Sequence, residues 1–403
     1  MGQKQILFVD DDPLLLMALK RLFRRQQQWQ VHFVESAQAA LELLEHHPMD
    51  LLVTDMYMPG LTGDELLATV AEKYPAIARI VLSGHADPEK SARAAIYAHQ
   101  CLAKPCDFDT LTETISSLLS AQDIVQSPRI REFMGNIGNL PSLPRIFQEL
   151  SEAMKSDHCD SKRVAAIISK DIAMSAKLLQ LVNSSFFGLG RKVSSVSEAV
   201  MLLGIKQMRA LLLGTHVFES FPCQRLANCL EMVDQLWKRS LQVAELAQAI
   251  CLAEKQGGDH RDQAFIGGLL HKVCILIFLC RQSEACARVM EGVNGNRPLL
   301  EVEREIIGVT HPEAGAYILG MWGLPSRIVE AVLLHPTPGR LEHDSLCSVT
   351  SVHVASALLS EPRDNLLGVW ATQLDLAYLE QIGRLDRLDH WRELAESIRN
   401  RSF

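Results

Sequence analysis

The stretch "ILFVDDDP" (residues 6–13) decides the fold of the first part of the chain. Four apolar residues, Ile6–Val9, run straight into three aspartates and a proline. A short apolar run bounded by turn signals reads as a buried strand. Asp12-Pro13 reads as the start of a helix, because aspartate caps free N–H groups and proline suits the first helical turn. The same unit returns along the next hundred residues. Val31–Val34, Leu51–Thr54, Ile80–Ser83 and Cys101–Ala103 read as further strands. Pro13–Arg25, Ala37–His46, Gly63–Lys73, Pro88–Ala98 and Phe108–Leu119 read as the helices that follow them. Repeated strand–helix units at this spacing predict a doubly wound parallel sheet. In such a sheet the chemistry gathers at the carboxyl ends of the strands.

Those ends carry a pattern. Asp10 and Asp11 close the first strand. Asp55 closes the third in "LLVTDMYMPG" (51–60). Ser83 closes the fourth in "IVLSGHAD" (80–87), and Lys104 follows the fifth in "LAKPCD" (102–107). Three carboxylates from two strands repel one another unless a cation sits among them, and hard oxygen ligands suit Mg²⁺. A lysine and a hydroxyl opposite them would complete a pocket for a transferred phosphoryl group, neutralising its charge and donating a hydrogen bond. Asp12 reads as a plain helix cap.

These four segments resemble the signatures of response-regulator receiver domains, over about residues 1–120. The resemblance implies a flavodoxin-like (βα)5 fold with Asp55 as phosphoacceptor. It implies Mg²⁺ held by Asp10, Asp11, Asp55 and the backbone carbonyl of Tyr57, with Ser83 as the switch hydroxyl and Lys104 as the phosphate partner. One position departs from the pattern. Three residues before the lysine such domains often carry an aromatic ring that swings inward on phosphorylation, and here that residue is Cys101.

The whole chain has 403 residues, too many for one ordinary core. Hydrophobic residues make up 48% and charged residues 22%, the balance of a globular protein rather than a disordered one. The net charge is −8, and the first 122 residues hold 10 Lys/Arg against 16 Asp/Glu. Nothing there attracts a polyanion, so nucleic acid is not expected as a partner. Ten cysteines without a CxxC pair read as small buried hydrophobes in a reducing compartment. No signal peptide is visible, and the longest apolar stretch, near Val273–Cys280, is far short of the ~20 residues of a membrane span. The expectation is a cytoplasmic protein without a membrane partner.

Residues 121–130 read as a linker around Gln126-Ser127-Pro128. From 131 to 403 the periodicity is helical: Ser142–Lys155, Lys162–Val182, Ser197–Phe218, Glu231–Cys251, Gln263–Cys280, then shorter helices to Asn400. No strand is needed, so this part is expected to be all-α. "IISKDIAMSAKLLQLVNSSFFGLGRKVSSVSEAVMLLG" (167–204), "AFIGGLLHKVCILIFL" (264–279) and "HPEAGAYILGMWGLPSRIVEAVLLHP" (311–336) resemble HDOD domains, whose second half is similar to HD-type phosphohydrolases. Active HD enzymes hold metal ions through a histidine, a His-Asp pair and further His and Asp residues, and the metal activates a water. Here the pair would fall at His271-Lys272, the first histidine near Arg239 and the last aspartate near Ser356. His271, His311 and His335 remain, but three neutral imidazoles without a carboxylate make a poor hydrolytic site. No metal is expected in this domain.

The expected function is a two-component response regulator. A sensor histidine kinase would phosphorylate Asp55, and the HDOD domain would pass the state by contact to a downstream signalling protein, which the family resemblance would place in a cyclic-dinucleotide, motility or biofilm pathway. Self-association is left open. The rival readings are a receiver-gated, metal-dependent phosphohydrolase or cyclic-dinucleotide phosphodiesterase, and a transcription factor. Against the first stand Lys272 and Ser356. Against the second stands the lack of a basic recognition helix.

Overall fold

The computed structural model describes residues 3–24, 28–83, 97–135, 144–155, 160–183, 191–214, 230–281, 283–294, 297–341, 345–360 and 371–400. The first region alternates β1 (Lys4–Val9), α1 (Pro13–Phe23), β2 (Trp29–Val34), α2 (Ala37–His46), β3 (Leu51–Asp55), α3 (Gly63–Lys73), β4 (Ala78–Ser83), β5 (Gln100–Ala103) and α4 (Phe108–Ile124). The strands form one parallel sheet in the order β2-β1-β3-β4-β5. Every residue of β3 and β4 is buried, as a central parallel strand covered on both faces requires. The helices show why they form. Asp12 caps α1 by accepting from Leu14 N–H, and α1 buries Leu16, Leu19 and Phe23 on one stripe. Asp12 is thus the helix cap the sequence suggested. The helix expected over Pro88–Ala98 falls largely outside the described residues.

The second region holds α5 (Pro128–Gly135), α6 (Pro144–Lys155), α7 (Ser161–Ile168), α8 (Ile172–Asn183), α9 (Val196–Gly214), α10 (Leu230–Ala253), α11 (Gly258–Leu270) and α12 (Val273–Arg281). It continues with α13 (Ser283–Asn294), α14 (Leu299–Ile306), α15 (His311–Met321), α16 (Ser326–Leu334), α17 (Ser348–Leu358), α18 (Leu376–Gln381) and α19 (Leu388–Arg399). Among the described residues this region contains no strand. Three helices expected to be continuous are broken, one of them, Ser197–Phe218, by non-helical backbone at Gly204 (φ +73°). Lys162–Val182 divides at 169–171, where the Asp171 carboxylate caps α8 by accepting from Met174 N–H at 2.8 Å. Gln263–Cys280 divides at His271-Lys272, and α13 lies beyond the helices the periodicity marked. The stretch Gly258–Leu279 is long and apolar enough to cross a membrane by length and composition, but it is this broken helix pair, mostly buried in the helical domain.

The junction is tighter than a ten-residue linker at 121–130. Helix α4 runs on to Ile124, α5 begins at Pro128, and Ala121, Gln122, Val125 and Ile130 are buried. The Gln122 amide donates to the carbonyls of Asp50 (2.9 Å) and Ala76 (3.3 Å), which ties the end of α4 to the sheet. Helix α4 packs on α15 so closely that a Cβ on Gly320 would lie 2.8 Å from the Ala121 Cβ. One apolar core therefore runs from the sheet through α4 into the helices.

Candidate functional site

The receiver residues converge at the carboxyl edge of the sheet. Asp10, 3% exposed, directly follows β1, and Asp55, 6% exposed, ends β3. The Lys104 ammonium, carried just beyond β5, lies 2.7 Å from Asp10 Oδ2 and 2.6 Å from Asp55 Oδ1. Asp10 Oδ1 accepts from Asp12 N–H at 2.9 Å, and Asp55 Oδ2 from Tyr57 N–H at 3.1 Å. Lys104 N–H donates to the Ser83 carbonyl at 2.7 Å, so Ser83 and Lys104 meet across the β4–β5 pair. Asp55 lies opposite Leu82, one residue before Ser83. Partial burial lowers the Lys104 pKa, but the hydrogen bonds to Asp10 and Asp55 outweigh that effect and hold it above the ordinary lysine value. Asp11 and Tyr57 are exposed. The β3–α3 loop can fold against the site because residue 63 is glycine. A Cβ there would come within 1.9 Å of the Asp55 carbonyl oxygen.

The donor set fits a hard divalent cation. Two nearly buried carboxylates already converge on one positive charge, and Mg²⁺ characteristically takes one or two carboxylates and keeps several waters. No group of three His, Cys, Asp or Glu side chains among the described residues is gathered to enclose a metal alone. Such an ion would therefore need backbone oxygen and water as well.

The HDOD residues named from the sequence also meet, in a sealed place. Arg239 comes from α10, His271 and Lys272 from the break between α11 and α12, and His311 begins α15. His335 follows α16, and Ser356 lies in α17. All are at most 8% exposed. The His335 ring stands 5.0 Å from that of His271 and 5.8 Å from that of His311, centroid to centroid. Each imidazole is fixed through Nδ1, against Gly268 O (2.6 Å), the Glu303 carboxylate (2.9 Å) and Val332 O (2.9 Å) respectively for His271, His311 and His335. His271 Nε2 meets the Ser356 hydroxyl at 3.3 Å, while Nε2 of His311 and His335 are buried without a hydrogen-bond partner. Burial, aided by Lys272 beside His271 and by His271 beside His335, holds both of these imidazoles well below the usual histidine pKa. Burial first and Arg239 second push Lys272 down to about 7.

Glu303 corrects the expectation of a cluster without a carboxylate. It is fully buried and accepts from both His311 N–H and His311 Nδ1 at 2.9 Å. It holds His311 through both the backbone N–H and Nδ1. No local pattern marks it, since Glu301 and Glu305 in the same helix are exposed.

Family models match both parts, the response regulator receiver domain over residues 6–116 and the HDOD domain over 140–338. The hydrogenase transcriptional regulatory protein HoxA of Cupriavidus necator is 37% identical over 126 residues, 30% of this chain and 25% of HoxA. The signal receiver domain of an HD domain-containing protein from Pseudomonas fluorescens is 30% identical, covers 30% of this chain and 98% of its own, and superposes with a TM-score of 0.29. The MmoQ response regulator of Methylococcus capsulatus is 20% identical over 63% of this chain and 98% of its own, with a TM-score of 0.46. The chain spans 25 to 38% of the length of the curated relatives it matches first. With both signatures found in order along one chain, the protein belongs to the two-component response regulators and joins a receiver domain to an HDOD domain.

Proposed function

We propose that Asp55 is the phosphoacceptor and that the HDOD domain relays its state by contact, without chemistry of its own. One observation carries the first half: the Lys104 ammonium bridges the Asp10 and Asp55 carboxylates at 2.7 and 2.6 Å. An Asp55 carboxylate oxygen attacks the phosphorus of a phosphohistidine on a sensor kinase, or of a small acyl phosphate. A P–O bond to Asp55 forms, the bond to the donor breaks, and the leaving group departs with its electron pair. Lys104 is placed to pair with the incoming phosphoryl oxygens, and the Ser83 hydroxyl to donate to one of them. Asp10, Asp11, Asp55 and the Tyr57 carbonyl would hold Mg²⁺, which supplies charge neutralisation for the transferring group.

The second half rests on Arg239 and Lys272, two nearly buried cationic side chains where an HD-type hydrolase needs metal ligands. The charge of Arg239, and of Lys272 while it is protonated, opposes a metal ion there, and the three imidazoles with Glu303 form a packed, hydrogen-bonded unit. The cytoplasm as working compartment belongs to the same reading. The test is phosphorylation by acetyl phosphate with and without Mg²⁺, beside turnover of cyclic dinucleotides with Mg²⁺, Mn²⁺ or Fe²⁺. The expected result is Mg²⁺-dependent phosphorylation, absent in Asp55→Asn, with no turnover. Hydrolysis that disappears in His271→Ala would overturn the non-catalytic half.

A further inference from the structure

The chain runs on beyond the span that matches the HDOD family, residues 140–338, and part of that tail closes on the histidine cluster. The link is helix α17. Its Thr350, His353 and Ser356 are each at most 2% exposed, and Ser360 follows just past its end. Polar residues spaced by three or four positions make a stripe along one side of a helix. The stripe touches the cluster at two points. His271 donates from Nδ1 to the Gly268 carbonyl, so its Nε2 accepts, and the Ser356 hydroxyl stands 3.3 Å away to donate. His353 donates from Nδ1 to the His335 carbonyl at 2.7 Å.

The same stripe holds the tail. The Thr372 hydroxyl meets Ser356 Oγ at 2.7 Å, and with Ser356 donating to His271 it is Thr372 that donates here. Thr372 N–H donates to Ser360 Oγ at 3.0 Å, and Asp375 N–H to His353 Nε2 at 3.0 Å. The Tyr378 and Thr350 hydroxyls meet at 2.7 Å. Residues 371–375 are neither helix nor strand, and of these only Thr372 is buried. The far end of the tail is anchored differently. Leu388, Trp391, Ala395 and Ile398 belong to an apolar core, and the Glu254 carboxylate of α10 accepts from Arg387 Nε at 2.8 Å and Trp391 Nε1 at 3.2 Å.

Residues 371–375 are thus held by single hydrogen bonds between neutral groups, which water can satisfy when they part, so their release strands no charge. Something also opposes the closed state. Nε2 of His311 and of His335 are buried without a hydrogen-bond partner, and the His335 ring stands 5.0 Å from the His271 ring that Ser356 and Thr372 cap. Keeping those two nitrogens dry costs free energy that admitted water would return. We propose that residues 371–375 are a strap, hinged on the anchored helices α18 and α19, that closes over the His271 imidazole and lifts without unfolding the domain.

The experiment is labelling of the full chain with diethyl pyrocarbonate, which attacks unprotonated imidazole nitrogen, mapped by peptide mass spectrometry. In the wild type His271 should react far more slowly than the exposed His46, His260 and His390. Thr372→Val keeps the shape and removes the hydroxyl. It should speed labelling of His271 by roughly fivefold, the factor for the net loss of one neutral hydrogen bond. Amide hydrogen exchange of α12, the buried helix that follows His271, should stay as in the wild type, because only the strap has lifted. If Thr372→Val also loses protection in α12, the domain itself has loosened. Ser360→Ala, which frees the Thr372 backbone and leaves the His271 partner in place, then decides by the same two readings. Unchanged labelling of His271 in the deciding variant overturns the strap. So does labelling that rises in both variants only with lost protection in α12, or wild-type His271 that reacts as fast as His46.

Discussion

The two halves of the molecule each gather charged groups at one point, and they do so in opposite ways. In the receiver, a lysine with 27% of its side chain exposed sits between two carboxylates, and water and a phosphodonor can reach it. In the HDOD domain, Arg239, Lys272, three histidines and Glu303 are nearly or wholly buried. An accessible charge cluster can exchange one partner for another at modest cost. A sealed one leaves an orphaned charge or donor behind when any member is removed, which is far more costly. The first arrangement is suited to a reversible event on Asp55. The second is suited to holding the helices around it in register.

The comparison is sharpest at the carboxylates. Glu303→Ala would leave two buried His311 donors unpaired and remove the anion beside Lys272. The expected loss is about 3–5 kcal/mol of stability, the cost of breaking a buried charged network. Urea unfolding followed through tryptophan fluorescence would measure it. A loss below about 1 kcal/mol, the value for an exposed pair, would erase the distinction drawn between the two sites.

A smaller effect is expected at Lys272, and it depends on pH. Its pKa is about 7 in the folded protein, below the ordinary lysine value of 10.5. Between those two values the unfolded chain holds the proton that the folded one has lost, so wild-type stability rises with pH through this window and falls as pH drops toward 7. Lys272→Met lacks this slope. Its advantage should be largest at pH 7 and below, and should shrink by about 1.4 kcal/mol per pH unit above that. Thermal or urea unfolding of both proteins between pH 6.5 and about 9.5 reads this out. Parallel pH profiles would mean that Lys272 keeps its charge when folded.

The receiver was legible because its signals are local. The strand ends fall at Asp10, Asp55, Ser83 and Lys104, each one marked by a change from apolar to polar residues. Helix α3 has the expected bounds because Thr62 and Glu65 form a capping box at its start. The helical domain was legible only in outline. The break at His271-Lys272 leaves no mark in the apolar pattern on either side, since both halves of Ala264–Leu279 are buried. Glu303 looks like its exposed neighbours, and only the fold turns it toward His311. The Gln100 amide of β5 donates to the Met321 carbonyl of α15 at 3.2 Å across the domain junction, and neither side carries a local signature. Contacts between domains depend on how the two cores dock, and no periodicity reports that.

The most direct test of the central claim is where the phosphoryl group goes. Full-length protein treated with acetyl phosphate and Mg²⁺ can be reduced with borohydride, which converts an aspartyl phosphate to homoserine, and then mapped by peptide mass spectrometry. The account predicts homoserine at Asp55 alone, in the peptide spanning Leu51–Gly60, and none when Mg²⁺ is withheld. Modification at Asp10 or Asp11 with Asp55 intact, or modification that persists elsewhere in Asp55→Asn, would contradict it.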